Sequence, residues 1–185
     1  MRMMCYMAGA TKVLELGFPT ERIVRGGLQI GVEAPWVVDL VGVDVSKGAL
    51  QKCSAALHHR QALVEAEGKT FPRTAVLQGS LDTVGRDPRA HGSDAVVMVE
   101  VVEHLDPQPL EALGEVVLRC LRPPLFIVST PNKDYNLVLH TLLGGLLENG
   151  LREADHRFEW TQSEFQLLHG NFATSGLGIQ QLVRP

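Results

Sequence analysis

Apolar residues gather along this chain in short runs without helical period, separated by longer stretches whose apolar positions recur every three or four residues. The runs are Lys12–Leu16, Val37–Val43, Thr74–Leu77, Ala95–Val99 and Leu125–Val128. Most are apolar on consecutive positions and rich in β-branched residues, which predicts strands buried on both faces. Between them, Gly48 to Glu67 predicts a helix with Leu50, Cys53, Leu57 and Leu63 inward and Lys52, Arg60 and Glu65 outward. Asp106 and Pro107 read as the start of another, with Leu110, Leu113, Val117 and Leu121 at helical spacing behind them. Strands that alternate with helices predict βαβ units, hence an α/β fold with a mostly parallel sheet covered by helices.

In such sheets the chemistry collects at the carboxyl ends of the strands. Gly17 follows the first run. Asp44 ends the second, where nucleotide-binding folds put the carboxylate that accepts hydrogen bonds from ribose hydroxyls, although it would equally serve as an acid at a helix start. Gln78-Gly79-Ser80 ends the third with a tight turn and a hydroxyl suited to an adenine or its neighbouring backbone.

The fourth run ends in the most informative feature, Glu100-Val-Val-Glu103-His104. If a helix begins there, spacings of three and four put all three side chains on one face within ligating distance of a cation. Taken alone, Glu103 and His104 also fit a polar first turn. A downstream segment, Asp155-His156-Arg157-Phe158-Glu159-Trp160, offers a further imidazole. Phe158 and Trp160 are expected to anchor that loop while Arg157 and Glu159 face water. Thr161 and Glu164 resemble a capping box that starts the next helix. Two carboxylates with two imidazoles suit Mg²⁺, Mn²⁺, Co²⁺, Fe²⁺ or Zn²⁺.

Composition adjusts this picture modestly. The 185 residues suffice for one cored domain over 1–185, with a core at 11–168 and irregular chain at 1–10 and 169–185. Three cysteines in no disulfide or metal spacing predict a reducing, cytoplasmic setting. No apolar run approaches the ~18 residues of a membrane span. A formal net charge of −4 argues against a protein that coats long nucleic acid.

Five segments together resemble one family. Leu-Val-Gly-Val-Asp44, Gln-Gly-Ser80, Val-Glu100-Val-Val-Glu103-His104-Leu-Asp, Ile-Val-Ser-Thr-Pro-Asn132 and Leu-Arg-Glu-Ala-Asp-His156-Arg-Phe-Glu-Trp-Thr are similar to the small-RNA 3′-terminal 2′-O-methyltransferases of piRNAs and microRNAs. The resemblance implies a Rossmann-like fold that uses S-adenosylmethionine, with Gly17, Asp44 and Ser80 at the cofactor. It implies a divalent metal, Mg²⁺ or Mn²⁺, held by Glu100, Glu103, His104 and His156. That ion would chelate the 2′- and 3′-hydroxyls of the last nucleotide, with His104 or His156 taking the proton. The implied partners are the single-stranded 3′ end of a small RNA of the piRNA or microRNA/siRNA class and an Argonaute or Piwi-type protein. Lys133, Arg152 and Arg157 are expected near the final phosphates.

The sequence departs from the family in one loop and at both ends. Phe18-Pro19-Thr20-Glu21 follows Gly17 without the further glycines expected beside the cofactor, and proline there removes a donor. The termini are short of the family's, which predicts five strands and an open sheet edge. A methyltransferase-like protein that binds RNA ends or metal without efficient cofactor use is therefore the alternative. A metallohydrolase and a small-molecule or protein methyltransferase fit less of the pattern.

Overall fold

The structure, a computed structural model, describes residues 9–17, 36–136, 138, 141, 149–173 and 178–184. The five predicted strands form close to their expected bounds: β1 (Lys12–Leu16), β2 (Asp39–Asp44), β3 (Arg73–Gln78), β4 (Ala95–Val99) and β5 (Leu125–Pro131). A sixth, β6 (Gly178–Arg184), extends the sheet to the order β3-β2-β1-β4-β5-β6, with every neighbouring pair parallel. The Phe18–Glu21 loop lies outside the described residues.

β6 corrects the expectation of irregular chain over 169–185 and of five strands, and it takes the end of a sheet that stays open. Ile179, Leu182 and Val183 are not spaced two apart, so the strand period is absent from the sequence. What defines the strand is its backbone ladder to β5, from Leu125 opposite Gly178 to Pro131 opposite Arg184.

The continuous apolar runs arise because both sheet faces are covered. Leu14, Val96, Met98 and Phe126 pack on one face with Leu81, Leu113, Val117 and Phe165. Val13, Leu40, Val97 and Ile127 pack on the other with Leu50, Cys53 and Leu57. The last three belong to α1 (Lys47–Ala66), whose first turn is capped by the Ser46 hydroxyl accepting from the Ala49 N–H at 3.2 Å. Leu63 is exposed rather than inward. At 3.6 residues per turn it sits ~240° around from Leu57, off the buried stripe.

On the first face, α2 (Leu81–Val84) follows β3, and a 3₁₀ turn (Val102–His104) leads to α3 (Pro107–Glu115). α3 widens into a π-helical turn, Val116–Leu121, which closes on Arg122 in the left-handed region with its N–H on the Val117 carbonyl at 2.8 Å. Finally, α4 (Gln162–Ala173) begins with the expected capping box: Glu164 N–H donates to the Thr161 hydroxyl, and the Thr161 N–H and hydroxyl donate to the Glu164 carboxylate. Cys53 and Cys120 carry free thiols, and burial, followed by Glu15 and Asp44, pushes the Cys53 thiol up to about 12. No helix among the described residues is long and apolar enough to cross a membrane.

Candidate active site

The carboxyl ends of β1 to β4 open onto a cavity of about 450 Å³. It lies where the strand order reverses between β1 and β4, the place open α/β sheets bind ligands. Gly17, Asp44 and Ser80 all line it.

Each of the three is placed by local backbone. Gly17 donates its N–H to the Val43 carbonyl at 2.8 Å and turns the chain with φ +79°. A Cβ there would stand 2.6 Å from Val101 Cγ2, so glycine is required both by conformation and by space. Asp44 accepts the Ser46 N–H at 2.6 Å, shaping the turn into α1, and lines the cavity. Ser80 precedes α2 and donates its N–H to Thr83 Oγ1 at 2.8 Å. Val43, Leu81 and Met98 supply apolar walls.

The acidic cluster across the cavity is not one helical face. Glu100 adopts φ +55°, which turns the chain sharply out of β4, and Glu103 and His104 fall in the 3₁₀ turn. Adjacent hydroxyls of β5 hold the two carboxylates separately: Ser129 donates to Glu100 Oε1 at 2.8 Å and Thr130 to Glu103 Oε2 at 3.0 Å. Glu103 is fully buried, and Glu100 lines the cavity beside His104.

The loop before α4 closes over this turn through backbone and side chain together. Arg157 donates its N–H to the Glu103 carbonyl at 2.8 Å, and its guanidinium meets Asp106 at 3.0 Å. His156 is buried, with Nδ1 2.6 Å from Glu159 Oε1. The rings of His104 and His156 meet edge to face with centroids 4.9 Å apart. His104 Nδ1 lies 3.3 Å from the Asp155 carbonyl oxygen. The aromatic anchors act as expected, with Phe158 against Trp160 and Trp160 against Phe165 at centroid distances of 4.5 and 5.8 Å.

Two polar residues of this loop differ from expectation. Glu159 is buried instead of facing water, because the loop is not an alternating strand. It accepts from Asn136 Nδ2, from the Arg152 N–H at 2.8 Å and from His156. Burial would raise its carboxyl, but these hydrogen bonds outweigh that and hold it below the ordinary value. Arg152 does not reach outward to phosphates: Nε donates to Asn136 Oδ1 at 2.7 Å and an Nη to the Asn132 carbonyl at 2.8 Å. Lys133 stays exposed.

Three of the four expected ligands converge. One ligand atom each from Glu103, His104 and His156 lies within 4.8 Å of the others, a spread that one divalent cation can draw together. Glu100 stands outside that group. Ser129, Thr130, Asn136 and Glu159 are contributors to which the sequence reading gave no role here; Ser129 and Thr130 lie in the Ile-Val-Ser-Thr-Pro-Asn132 segment, the His156-x-x-Glu159 spacing carried a signal for Glu159, and Asn136 became visible only in the fold.

No family model matches the chain. It is 36% identical over 135 residues to the small RNA 2′-O-methyltransferase of Rattus norvegicus, covering 71% of this chain and 31% of that protein. The methyltransferase domain of bacterial CtHen1 superposes with a TM-score of 0.68 at 32% identity, over 94% of this chain and 80% of that one. The structure of the small RNA methyltransferase HEN1 superposes with a TM-score of 0.71 at 24% identity, over 94% of this chain and 21% of that one, a likeness of fold. The chain spans about a third of the length of the first curated relatives it matches.

Proposed function

The chain belongs to the small RNA 2′-O-methyltransferase family, and on that premise we propose that it transfers a methyl group from S-adenosylmethionine to the 2′-hydroxyl at the 3′ end of a small RNA, with a divalent cation. The observation that carries the reading is the convergence of Glu103, His104 and His156 beside a cavity framed by Gly17, Asp44 and Ser80.

The residues present fit both groups. For the cofactor, Gly17 brings bare backbone to the cavity wall, Asp44 offers a carboxylate for ribose hydroxyls, and the apolar walls suit an adenine. For the cation, Glu103, His104 and His156 offer one carboxylate and two imidazoles, a set that can hold a divalent ion, and Glu100, outside that group, lines the adjoining cavity. When bound, the cofactor supplies the methyl group and the cation supplies the Lewis acidity that lowers the pKa of a ribose hydroxyl.

The chain's own residues do the rest. Both histidines turn Nδ1 to a protein acceptor, which leaves each ring one nitrogen, Nε2. We assign both Nε2 atoms to the cation, so His104 and His156 serve as ligands, and the proton of the acidified 2′-hydroxyl passes to solvent water. Glu103, buried and held by Thr130, fixes the site to β5, and the shared wall of Glu100 and His104 brings the terminal ribose against the cofactor cavity. Among the described residues, Arg152 is engaged internally and Arg157 is paired to Asp106, so both of these cations are held within the protein. An Argonaute or Piwi-type protein that presents the 3′ end accords with that.

The test is transfer of labelled methyl to single-stranded small RNA with Mn²⁺ or Mg²⁺, beside matched 2′-deoxy and 3′-deoxy ends. Transfer that disappears on chelation and with either deoxy end is expected. Absence of transfer by folded protein that still binds RNA ends would leave the binding-only alternative.

A further inference from the structure

Glu159 takes no part in the chemistry above, yet among the described side chains it is one of the most fully enclosed, with a side-chain exposure of 0%. Its Oε1 accepts the Arg152 N–H at 2.8 Å and faces His156 Nδ1 at 2.6 Å, and its Oε2 accepts from Asn136 Nδ2. The Asn136 amide is not free to turn round. Arg152 Nε donates to its Oδ1 at 2.7 Å, and a guanidinium only donates, so Nδ2 must face Glu159. Arg152 is itself tied to the Asn132 carbonyl at 2.8 Å. The hydrogen bonds therefore run in one direction, from Arg152 through Asn136 to Glu159. An ionised carboxylate only accepts, so the hydrogen on its remaining contact belongs to His156 Nδ1.

We propose that Glu159, braced by Asn136 and Arg152, is a positioning residue that sets His156 in the Nδ1–H tautomer and directs the Nε2 lone pair toward Glu103 and His104. The proposal rests on the reading of His156 as a ligand. A carboxylate behind a ligating imidazole fixes the ring and makes it a better donor. It also accounts for Arg152, a cation whose hydrogen bonds all point into the fold.

Two measurements on the full chain test this. The first is ¹⁵N–¹H correlation of the His156 ring at pH 8.5 without metal, assigned by its loss in His156→Gln. A protonated Nδ1 beside an unprotonated Nε2 is expected; an Nε2–H tautomer or an even mixture overturns the proposal. The second is Mn²⁺ binding by calorimetry. Glu159→Gln keeps the volume but sets amide hydrogens against donors, and it should weaken Mn²⁺ binding by about 10–100-fold with circular dichroism unchanged. Unchanged affinity in that variant also overturns the proposal. If Glu159→Gln does not fold, Asn136→Ala leaves the carboxylate and removes its brace, and should shift His156 toward a tautomer mixture. Wild-type protein that binds no Mn²⁺ while His156 keeps the Nδ1–H tautomer would sink the ligand reading alone and leave the positioning role of Glu159 standing.

Discussion

The two sides of the cavity are made of different materials. On the cofactor side the shape comes from backbone: a left-handed glycine, the ends of three parallel strands and one carboxylate at a helix start. Opposite, the shape comes from side chains, in which Thr130 and Ser129 hold the glutamates and Asn136, Arg152 and Glu159 hold His156. A backbone-built wall depends on a few residues with room around them. A wall built of buried polar groups depends on every partner being present, because each one lost leaves another unsatisfied.

The largest effects should separate the two sides. Glu103→Ala is expected to lower methyl transfer by about 100-fold or more and to remove Mn²⁺ binding, with cofactor affinity intact. Asp44→Ala should do the converse, weakening S-adenosylmethionine by ~10–100-fold through lost hydrogen bonds to a charged group while Mn²⁺ still binds. Calorimetry with each ligand reads both, and a variant that weakens both ligands equally would break the division.

Next in size is Gly17→Ala, where a left-handed φ and a 2.6 Å clash with Val101 act together. A loss of about 3 kcal/mol in denaturant unfolding is expected, and a loss below ~1 kcal/mol would mean that Val101 yields easily. Thr130→Val removes one donor to the buried Glu103 carboxylate and should cost about 2 kcal/mol. Because the polar wall is shared, it should also weaken Mn²⁺ binding, an effect that a purely structural hydroxyl would not produce.

The smallest effect is expected at the opposite end of the same strands. Asp94 accepts the Thr11 and Lys12 N–H groups at 2.8 and 2.9 Å and ties the amino ends of β1 and β4. The Lys12 N–H, then the Thr11 hydroxyl, holds its carboxyl below the ordinary range. A folded pKa below the unfolded one means that its stabilisation is complete above the unfolded value near ~3.9 and lost as pH falls through the folded one. Asp94→Ala should therefore destabilise by about 1 kcal/mol at pH 7 and by progressively less in acid, with both ligands binding normally.

The same division governs what the sequence disclosed. Strands covered on both faces announce themselves as apolar runs, and residues at their ends take positions that the topology dictates, so Gly17, Asp44 and Ser80 were legible. Glu103, His104 and His156 were legible as chemical types at suggestive spacings. They were expected to converge from one helical face together with Glu100, whereas the three meet without it, since Glu100 leaves the strand through a left-handed turn that no helical spacing describes. Glu159 was misjudged because alternation with Phe158 and Trp160 imitates a strand, whereas the loop buries its acid for hydrogen bonding. β6 was missed because backbone pairing at a sheet edge needs no particular side-chain period.

The left-handed turn at Glu100 has a consequence for engineering. A non-glycine residue at φ +55° costs roughly 1–2 kcal/mol that glycine would not. Glu100→Gly would recover much of this, offset by the lost Ser129 hydrogen bond and by the greater freedom of an unfolded glycine, for a net change near zero. A screen that scores thermal stability alone would accept that substitution without penalty, while removing a carboxylate from the cavity wall. Stabilised versions of this protein should therefore be selected on melting temperature and ligand binding together, with position 100 held fixed.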